Sequence, residues 1–333
     1  MEKHELAIHS TNPRILNKLA KDEDYWVRCG VAGNIDTPPK TLTFLSNDLL
    51  PGVRCIVAKN NNTPAKTLDL MAKDETMHRY IIENKNAWIK TLRHICLNTN
   101  KHYFPVVYYI LENIKIKPDS KFVFDIYKYR NEYFNKATFA SSSNTPVKIL
   151  EDLSRSSDRF ILIPLAKNPN LPDEILNKLA KHDNYEVRAA VACNLNSSVE
   201  ILTLLSKDRS LTVKKAVANN KNTPSEILEK FSKYRYKNGD ILSIVAKNPN
   251  TTPETLDYLY KNAYNHWRNH WRIRRHVAQN PNTSPETLKR MSINESDSYM
   301  RKIIKDNPNC SLKNWKYLCA LDLIYSLNLK IVL

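Results

Sequence analysis

Glycine is almost missing from this chain. Four residues of 333 are glycine, Gly30, Gly33, Gly52 and Gly239, where average usage of about 7% would give roughly 23. The dinucleotide-binding GxGxxG, the phosphate-cradling GxxxxGK[ST] and the kinase glycine loop are all absent. Hairpin-rich sheets lose support for the same reason, because their tight turns draw on glycine's freedom at positive φ. The six cysteines (Cys29, Cys55, Cys96, Cys193, Cys310, Cys319) form no CxxC and no zinc-type spacing. That usage suits reduced thiols in a cytoplasmic protein. Apolar runs are short as well. The opening MEKHELAIHSTNP has no signal-type hydrophobic region and no 18 uncharged apolar residues are consecutive anywhere, so neither secretion nor a membrane partner is expected. Acidic residues are the last shortage: 34 Asp and Glu face 51 Lys and Arg, a net charge of +17. A chain this basic is expected to meet an acidic partner, nucleic acid above all.

What the chain has instead is proline, asparagine and repetition, with 17 Pro, 37 Asn and enough apolar residues (42%) to bury a core. TPPKTLTFLSNDLLPGVRCIVAKN (Thr37 to Asn60), LPDEILNKLAKHDNYEVRAAVACN (Leu171 to Asn194) and TPSEILEKFSKYRYKNGDILSIVAKN (Thr223 to Asn248) share one pattern. It reads [T/S]-P-x-x-x-L-x-x-L-[A/S]-K-D, a variable gap, then V-R-x-x-V-A-x-N. Its marker falls at Pro38, Pro64, Pro118, Pro146, Pro172, Ser198, Pro224, Pro253 and Pro285, with one degenerate unit near Trp88 inside the longest interval. Each unit reads as two short helices. Thr or Ser before Pro is expected to cap the first, with capping boxes at Thr223/Glu226 and Ser197/Glu200. Leucine pairs such as Leu42/Leu45 and Leu202/Leu205 give that helix a narrow apolar stripe. Val27, Gly30 and Val31, or Val187, Ala190 and Val191, do so for the second. Each unit then stops at an asparagine: Asn34, Asn60, Asn84, Asn168, Asn194, Asn220, Asn248, Asn280, Asn307. Asparagine is the residue besides glycine that best tolerates the left-handed C-cap conformation, and is expected to adopt it here.

Neither helix can bury its face alone, so the units must stack. The fold expected is all-α, a right-handed α-solenoid of about twelve two-helix repeats of ~26 residues each. The motif NxxTPxxxLxxLAKD…VRxAVAxN resembles the leucine-rich-repeat variant, a relative of HEAT and armadillo repeats. The resemblance covers 12–84 and 144–310, and implies pairing of an α-helix with a second, often 3₁₀, helix. The cysteine cluster that holds an iron–sulfur centre in some members is absent, so no cofactor is implied. The expected organisation is N-terminal repeats over 1–84, degenerate aromatic-rich repeats over 85–143, and C-terminal repeats over 144–310 with a basic insertion at 261–276. A cap over 311–333 closes one continuous solenoid.

Two columns of the second helix carry charge. The first holds Arg28, Arg54, His78, Arg188, Lys214, Arg274 and Arg301 beside a run of alanines (Ala32, Ala58, Ala166, Ala192, Ala218, Ala246, Ala278), where only a small side chain fits against the next repeat. Asp22, Asp48, Asp74 and Asp208 recur near the ends of first helices, so a structural Arg–Asp ladder is expected of that column. The second column holds Lys59, Arg79, Lys167, Lys215, Lys247, Arg275 and Lys302 against Glu83 and Asp306. Second helices line the concave face of such solenoids, and a cationic stripe there fits the sequence-independent contacts of a phosphate backbone.

Two insertions break the period. YNHWRNHWRIRRH (Tyr264 to His276) duplicates NHWR, and the chain holds five bases and no acid between Tyr258 and Pro285. If helical, it aligns Trp267 with Trp271 and Arg268 with Arg272, aromatic and cationic strips suited to unpaired bases and their phosphates, although covering a core edge would equally explain the tryptophans. His266 and His270 have zinc-compatible spacing, but without a third ligand no metal site is assigned. The second departure, 85–143, packs 11 of the chain's 30 aromatics between Tyr103 and Phe139. Most are expected in the core, a few lining a pocket.

These features point to a non-catalytic scaffold that binds DNA or RNA, with an acidic protein surface as the alternative partner. A HEAT-like-repeat DNA glycosylase for alkylated bases is a third reading, but Trp88, Asp125 and the Trp267/Trp271 pair lack a recognisable spacing. GxSxG, HExxH and similar catalytic signatures are missing.

Overall fold

In the computed structural model, which describes residues 2–98, 106–112, 121–129, 133–233, 240–262, 270–294 and 297–326, every regular element among the described residues is a helix. The chain divides into two compact units, Met1–Ser156 and Ser157–Leu333, each a stack of short helices. The architecture is an α-solenoid. In the first unit Pro13–Leu19 pairs with Tyr25–Gly33 and Pro39–Leu45 with Pro51–Lys59. Ala65–Met71 is followed by a 3₁₀ turn, Glu75–Met77, that runs into His78–Ile81. In the second unit Asp173–Leu179 pairs with Tyr185–Cys193, Val199–Ser206 with Leu211–Asn219, and Ser225–Ser232 with Asp240–Lys247. Pro253–Asn262 with His270–Gln279, Pro285–Ile293 with Ser298–Asp306, and a longer helix Leu312–Ser326 complete the described part. Second helices pack on second helices of the adjoining repeats, for example Tyr185–Cys193 on Leu211–Asn219.

The core is the apolar stripe of each pair. Val199–Ser206 buries Ile201, Leu202 and Leu205, and Leu211–Asn219 buries Val213, Val217 and Ala218. Each such side chain contributes roughly 1.5–3 kcal/mol for full burial, so a pair is stable only because both neighbours cover it. At the start of the chain Gly30 admits the helix Lys3–His9, since a Cβ there would stand 2.9 Å from the Ala7 Cβ.

The helix ends differ from the sequence expectation, and the difference explains the missing glycines. The asparagines at the ends of the second helices are not left-handed. Asn34, Asn60, Asn194, Asn220 and Asn307 have φ between −71° and −69° and ψ between 124° and 131°, extended backbone that needs no glycine. Their carboxamides act across the repeat boundary instead. In each of Asn34, Asn60, Asn84, Asn194, Asn220, Asn248, Asn280 and Asn307, Nδ2 donates two hydrogen bonds of 2.7–3.0 Å to carbonyls of the preceding repeat. For Asn220 these are the carbonyls of Ala192 and Asn194, while its Oδ1 accepts from the Asn222 backbone N–H at 2.8 Å.

The buried threonine that follows each Asn-x-Asn or Asn-x-Asp is likewise not a cap, although the expected cap before proline does form at Thr252 and Ser284. Thr37, Thr63, Thr223, Thr251 and Thr283 are fully buried and donate Oγ1 to the carbonyl of Val31, Val57, Val217, Val245 and Val277, in the last turn of the helix just ended. In five units the proline itself holds the N-cap position (Pro38, Pro64, Pro146, Pro172, Pro224), with no side-chain cap. Capping by hydroxyl occurs where Ser or Thr takes that slot: Ser198 accepts from Ile201 N–H, Thr252 from Thr255 and Ser284 from Thr287. The Ser197/Glu200 box is therefore one residue out of register. The orphan carbonyls of a helix end must find donors, and here Asn and Thr side chains supply them.

Asn220→Ala removes two buried donors and one acceptor. We expect a loss of about 3 kcal/mol in urea unfolding, and no recovery in Asn220→Asp, which sets a carboxylate against two carbonyls. Thr223→Val, which strands one carbonyl at constant shape, is expected to cost about 1 kcal/mol. A change within a few tenths of a kcal/mol for Asn220→Ala would contradict the ladder's role.

Candidate functional site

The chemistry-bearing residues lie on the second helices, in two columns of opposite fate. The inner column is consumed by the fold. Arg28 Nε and Nη2 donate to the Asp48 carboxylate at 2.7 and 3.2 Å, and Nη1 donates to the carbonyls of Asp22 and Glu23, both at 2.9 Å. Arg188 repeats this geometry on Asp208 (2.6 and 3.0 Å) and on the carbonyls of His182 and Asp183. Arg54 reaches the carbonyls of Asp48 and Leu49 and, at 3.3 Å, the Asp74 carboxylate. His78 Nε2 lies 2.8 Å from the carbonyl oxygen of Ala72. Lys214 and Arg274 are half-buried, and Arg301 is 2% exposed. One planar guanidinium thus ties its own repeat's interhelical loop to the next repeat's carboxylate, which a point charge could not do. The electrostatics follow. Burial pushes the Asp48 and Asp208 carboxyls up, but the hydrogen bonds from Arg28 and Arg188 and from backbone N–H groups outweigh it and hold both below the ordinary value.

The outer column faces water. Lys59, Arg79, Lys167, Lys247 and Lys302 are exposed and make no ion pair among the described residues. Lys215 stands apart, half-buried and bonded to Asp240 at 2.9 Å, so its charge is already answered. Glu83, which accepts from Tyr109, and Asp306 are the exposed carboxylates of the column. In the first unit Lys59 and Arg79, from adjoining repeats, converge on Tyr80, at 5.2 and 4.9 Å from its ring centre.

Of the NHWR insertion, Trp267 and Arg268 lie outside the described residues, while Trp271, Arg272 and Arg275 fall on His270–Gln279. Trp271 is 42% exposed and Arg272 is exposed. The Arg275 guanidinium lies over Trp271 at 5.4 Å and over Tyr299, on the next repeat's second helix, at 5.7 Å. Sequence reasoning missed Tyr299. The signal was available: Trp26, Phe160 and Tyr299 each stand eight residues before the asparagine that ends a second helix, Trp271 stands nine before it, and each is exposed. Next to the cluster His276 turns inward, its Nδ1 2.9 Å from Ser243 Oγ, and burial holds its pKa below the ordinary value. The aromatic-rich segment divides. Phe122 and Phe139 are buried, Tyr127 donates to Asp152 at 2.7 Å, and Tyr108 is exposed.

The Arg188–Asp208 pair makes a pH prediction. A carboxyl held below its ordinary value gives stability that is complete above about pH 4 and is lost as pH falls through the lowered pKa. Acid titration of the wild type is expected to lower the melting temperature in that range, with a flatter acid limb in Asp208→Asn. At neutral pH that variant is expected to be about 3 kcal/mol less stable, because Arg188 is left buried without its partner. Superimposable acid limbs would refute the assignment.

No family model matches the chain, and no curated protein sequence matches it. Among solved structures the chain is similar to a leucine-rich repeat variant described as having a novel repetitive protein structural motif. The two are 18% identical, with 72% of this chain and 87% of that chain covered and a TM-score of 0.42. It is also similar to an engineered protein, 14% identical over 97% of this chain and 93% of that one, with a TM-score of 0.25.

Proposed function

We propose that this protein is a non-catalytic scaffold that binds nucleic acid through its phosphates along the outer column of the second helices. The observation that supports the reading is the sorting of charge. Arg28, Arg54 and Arg188 are matched by Asp48, Asp74 and Asp208, whereas Lys59, Arg79, Lys167, Lys247 and Lys302 stand exposed without carboxylate partners. Unmatched cations recurring on second helices suit a polyanion, whose neutralisation releases counterions and depends on charge rather than sequence. The second unit holds 28 Lys and Arg against 17 Asp and Glu over 157–333, compared with 23 against 17 over 1–156, which supports a binding surface chiefly on that unit. An acidic protein surface is the competing partner. A cytoplasmic setting belongs to the same proposal, in keeping with six cysteines that form no CxxC or zinc-type spacing.

The test is a salt series of fluorescence anisotropy with mixed-sequence oligonucleotides, single-stranded and duplex. Log affinity is expected to fall linearly with log salt. Lys247→Glu and Lys302→Glu are each expected to weaken binding and to reduce the slope by about one. No binding at about 50 mM salt, or binding without a slope, would overturn the proposal.

A further inference from the structure

We infer that Trp271, Arg275 and Tyr299 form a stacking platform for unpaired nucleobases, so that the nucleic acid held by the second unit is single-stranded. The inference rests on the nucleic-acid reading and narrows it to a substrate class.

Three observations carry it. First, the rings are not there for the fold. Trp271 and Tyr299 are 42% and 49% exposed; counted back from the asparagine that ends each second helix, the Tyr299 position is held elsewhere by Gly52, Thr76, Glu186 or Thr212, and the Trp271 position by Pro51, Glu75, Leu211 or Ser298 as well as by Tyr25 and Tyr185. Positions that accept glycine, threonine and glutamate, or proline, glutamate, leucine and serine, do not need a phenol or an indole for packing. Second, Arg275 departs from the ion-paired arginines of this chain. It pairs with no carboxylate among the described residues, its Nε is buried without an acceptor, and its guanidinium spans the two rings at 5.4 and 5.7 Å. The equivalent position elsewhere is a base in three repeats (Arg79, Lys215, Lys302) but Cys29, Cys55, Ala189 or Ser243 in others, so the fold does not require this cation either. Third, exposed Arg272 follows Trp271, and exposed Lys302 lies three residues beyond Tyr299, the spacing that shares a helix face. Two rings and a planar cation, flanked by two free charges, offer π-surface to any base and counter-charge to its phosphate.

The geometry discriminates between strands. Base faces in a duplex are already covered by their neighbours, leaving a helix only its phosphates to present. The two rings belong to adjoining second helices, and packed helix axes stand about 8–10 Å apart. Bases rise only about 3.4 Å per step in B-DNA. A strand that reaches both rings must therefore splay its bases, which only an unpaired strand does. An acidic peptide, by contrast, would be held by the flanking charges and would gain little from the rings.

The experiment measures anisotropy of labelled oligothymidylate and of a mixed-sequence duplex, with the full chain, at fixed salt. Oligothymidylate is expected to bind more tightly. Trp271→Leu and Tyr299→Leu are each expected to weaken it about tenfold, with duplex affinity unchanged within about twofold. Trp271→Tyr restores most of the loss, and far-UV helicity is unchanged throughout. Equal affinity for the two probes, variants without effect, or equal losses on both overturn the platform while leaving phosphate binding intact. Failure of the wild type to bind either probe overturns the nucleic-acid reading itself. Polyglutamate binding with the same sensitivity to Trp271→Leu and Tyr299→Leu also overturns the inference and assigns the surface to an acidic protein.

Discussion

A helix that stops inside a protein leaves carbonyls that must be met by donors, and in this chain each repeat meets those of the one before. The last turn of Leu211–Asn219 shows the arrangement. Ala216 and Val217 accept from the Asn220 N–H, Val217 also takes the Thr223 hydroxyl, and Ala218 is reached by the carboxamide of Asn248, one repeat on. The Ala-x-Asn ending thus has a cause at both positions. The alanine is small where the neighbouring repeat closes in, and the asparagine supplies the two donors that the previous alanine and asparagine carbonyls need. Because the bond is made across the boundary, cohesion between repeats and the termination of each helix are one interaction.

This device leaves the rest of the repeat free to vary in length. Between ladder asparagines the interval is 26 residues from Asn194 to Asn220, 28 from Asn220 to Asn248 and 32 from Asn248 to Asn280, yet the bonds stay at 2.7–2.9 Å. The Asn-x-Asn-Thr segment is untouched, and the added residues extend the end of the first helix, the connection and the start of the second: Pro253–Asn262 and His270–Gln279 have ten residues each, where Val199–Ser206 has eight and Leu211–Asn219 nine. Growth of the repeat is thereby steered to the entrance of the second helix, where Trp271 sits. The ladder is interrupted once among the described residues, at Ser142, whose hydroxyl donates to Glu112 instead of a backbone carbonyl. That is where the aromatic-rich segment departs from the motif.

Much of this was legible in the sequence, but not for the reason the local pattern suggested. The period, the helix pairs and the Arg–Asp spacing of Arg28 with Asp48 could all be read from recurrence. The role of the asparagines could not. A helix-terminal Asn looks the same whether its φ is positive or its side chain reaches back by two dozen residues, and only the partner tells the two apart. The threonine was misplaced for the same reason, since a hydroxyl before proline serves equally as a cap or as a donor to the helix just ended. Lys215 and Asp240 escaped notice because their pairing crosses a lengthened repeat. Tyr299 escaped because it stands alone in its segment and acquires company only when the next helix is laid beside Trp271.

Charge sorting follows from burial. An arginine packed between repeats must find a carboxylate, because an unpaired charge out of water is too costly to keep. Asp48 and Asp208 are accordingly drawn inward, 7% and 8% exposed as side chains. Each carboxylate used in this way is one fewer to balance the surface. A chain with 51 bases and 34 acids that sets acids aside for its interior must leave its excess positive charge outside, on the helices whose inner sides are already satisfied. The Ala and Arg columns give one side of the second helix to the neighbouring repeat and so leave the Lys59-type column to solvent. The field of the surface is in this sense a product of how the repeats are joined.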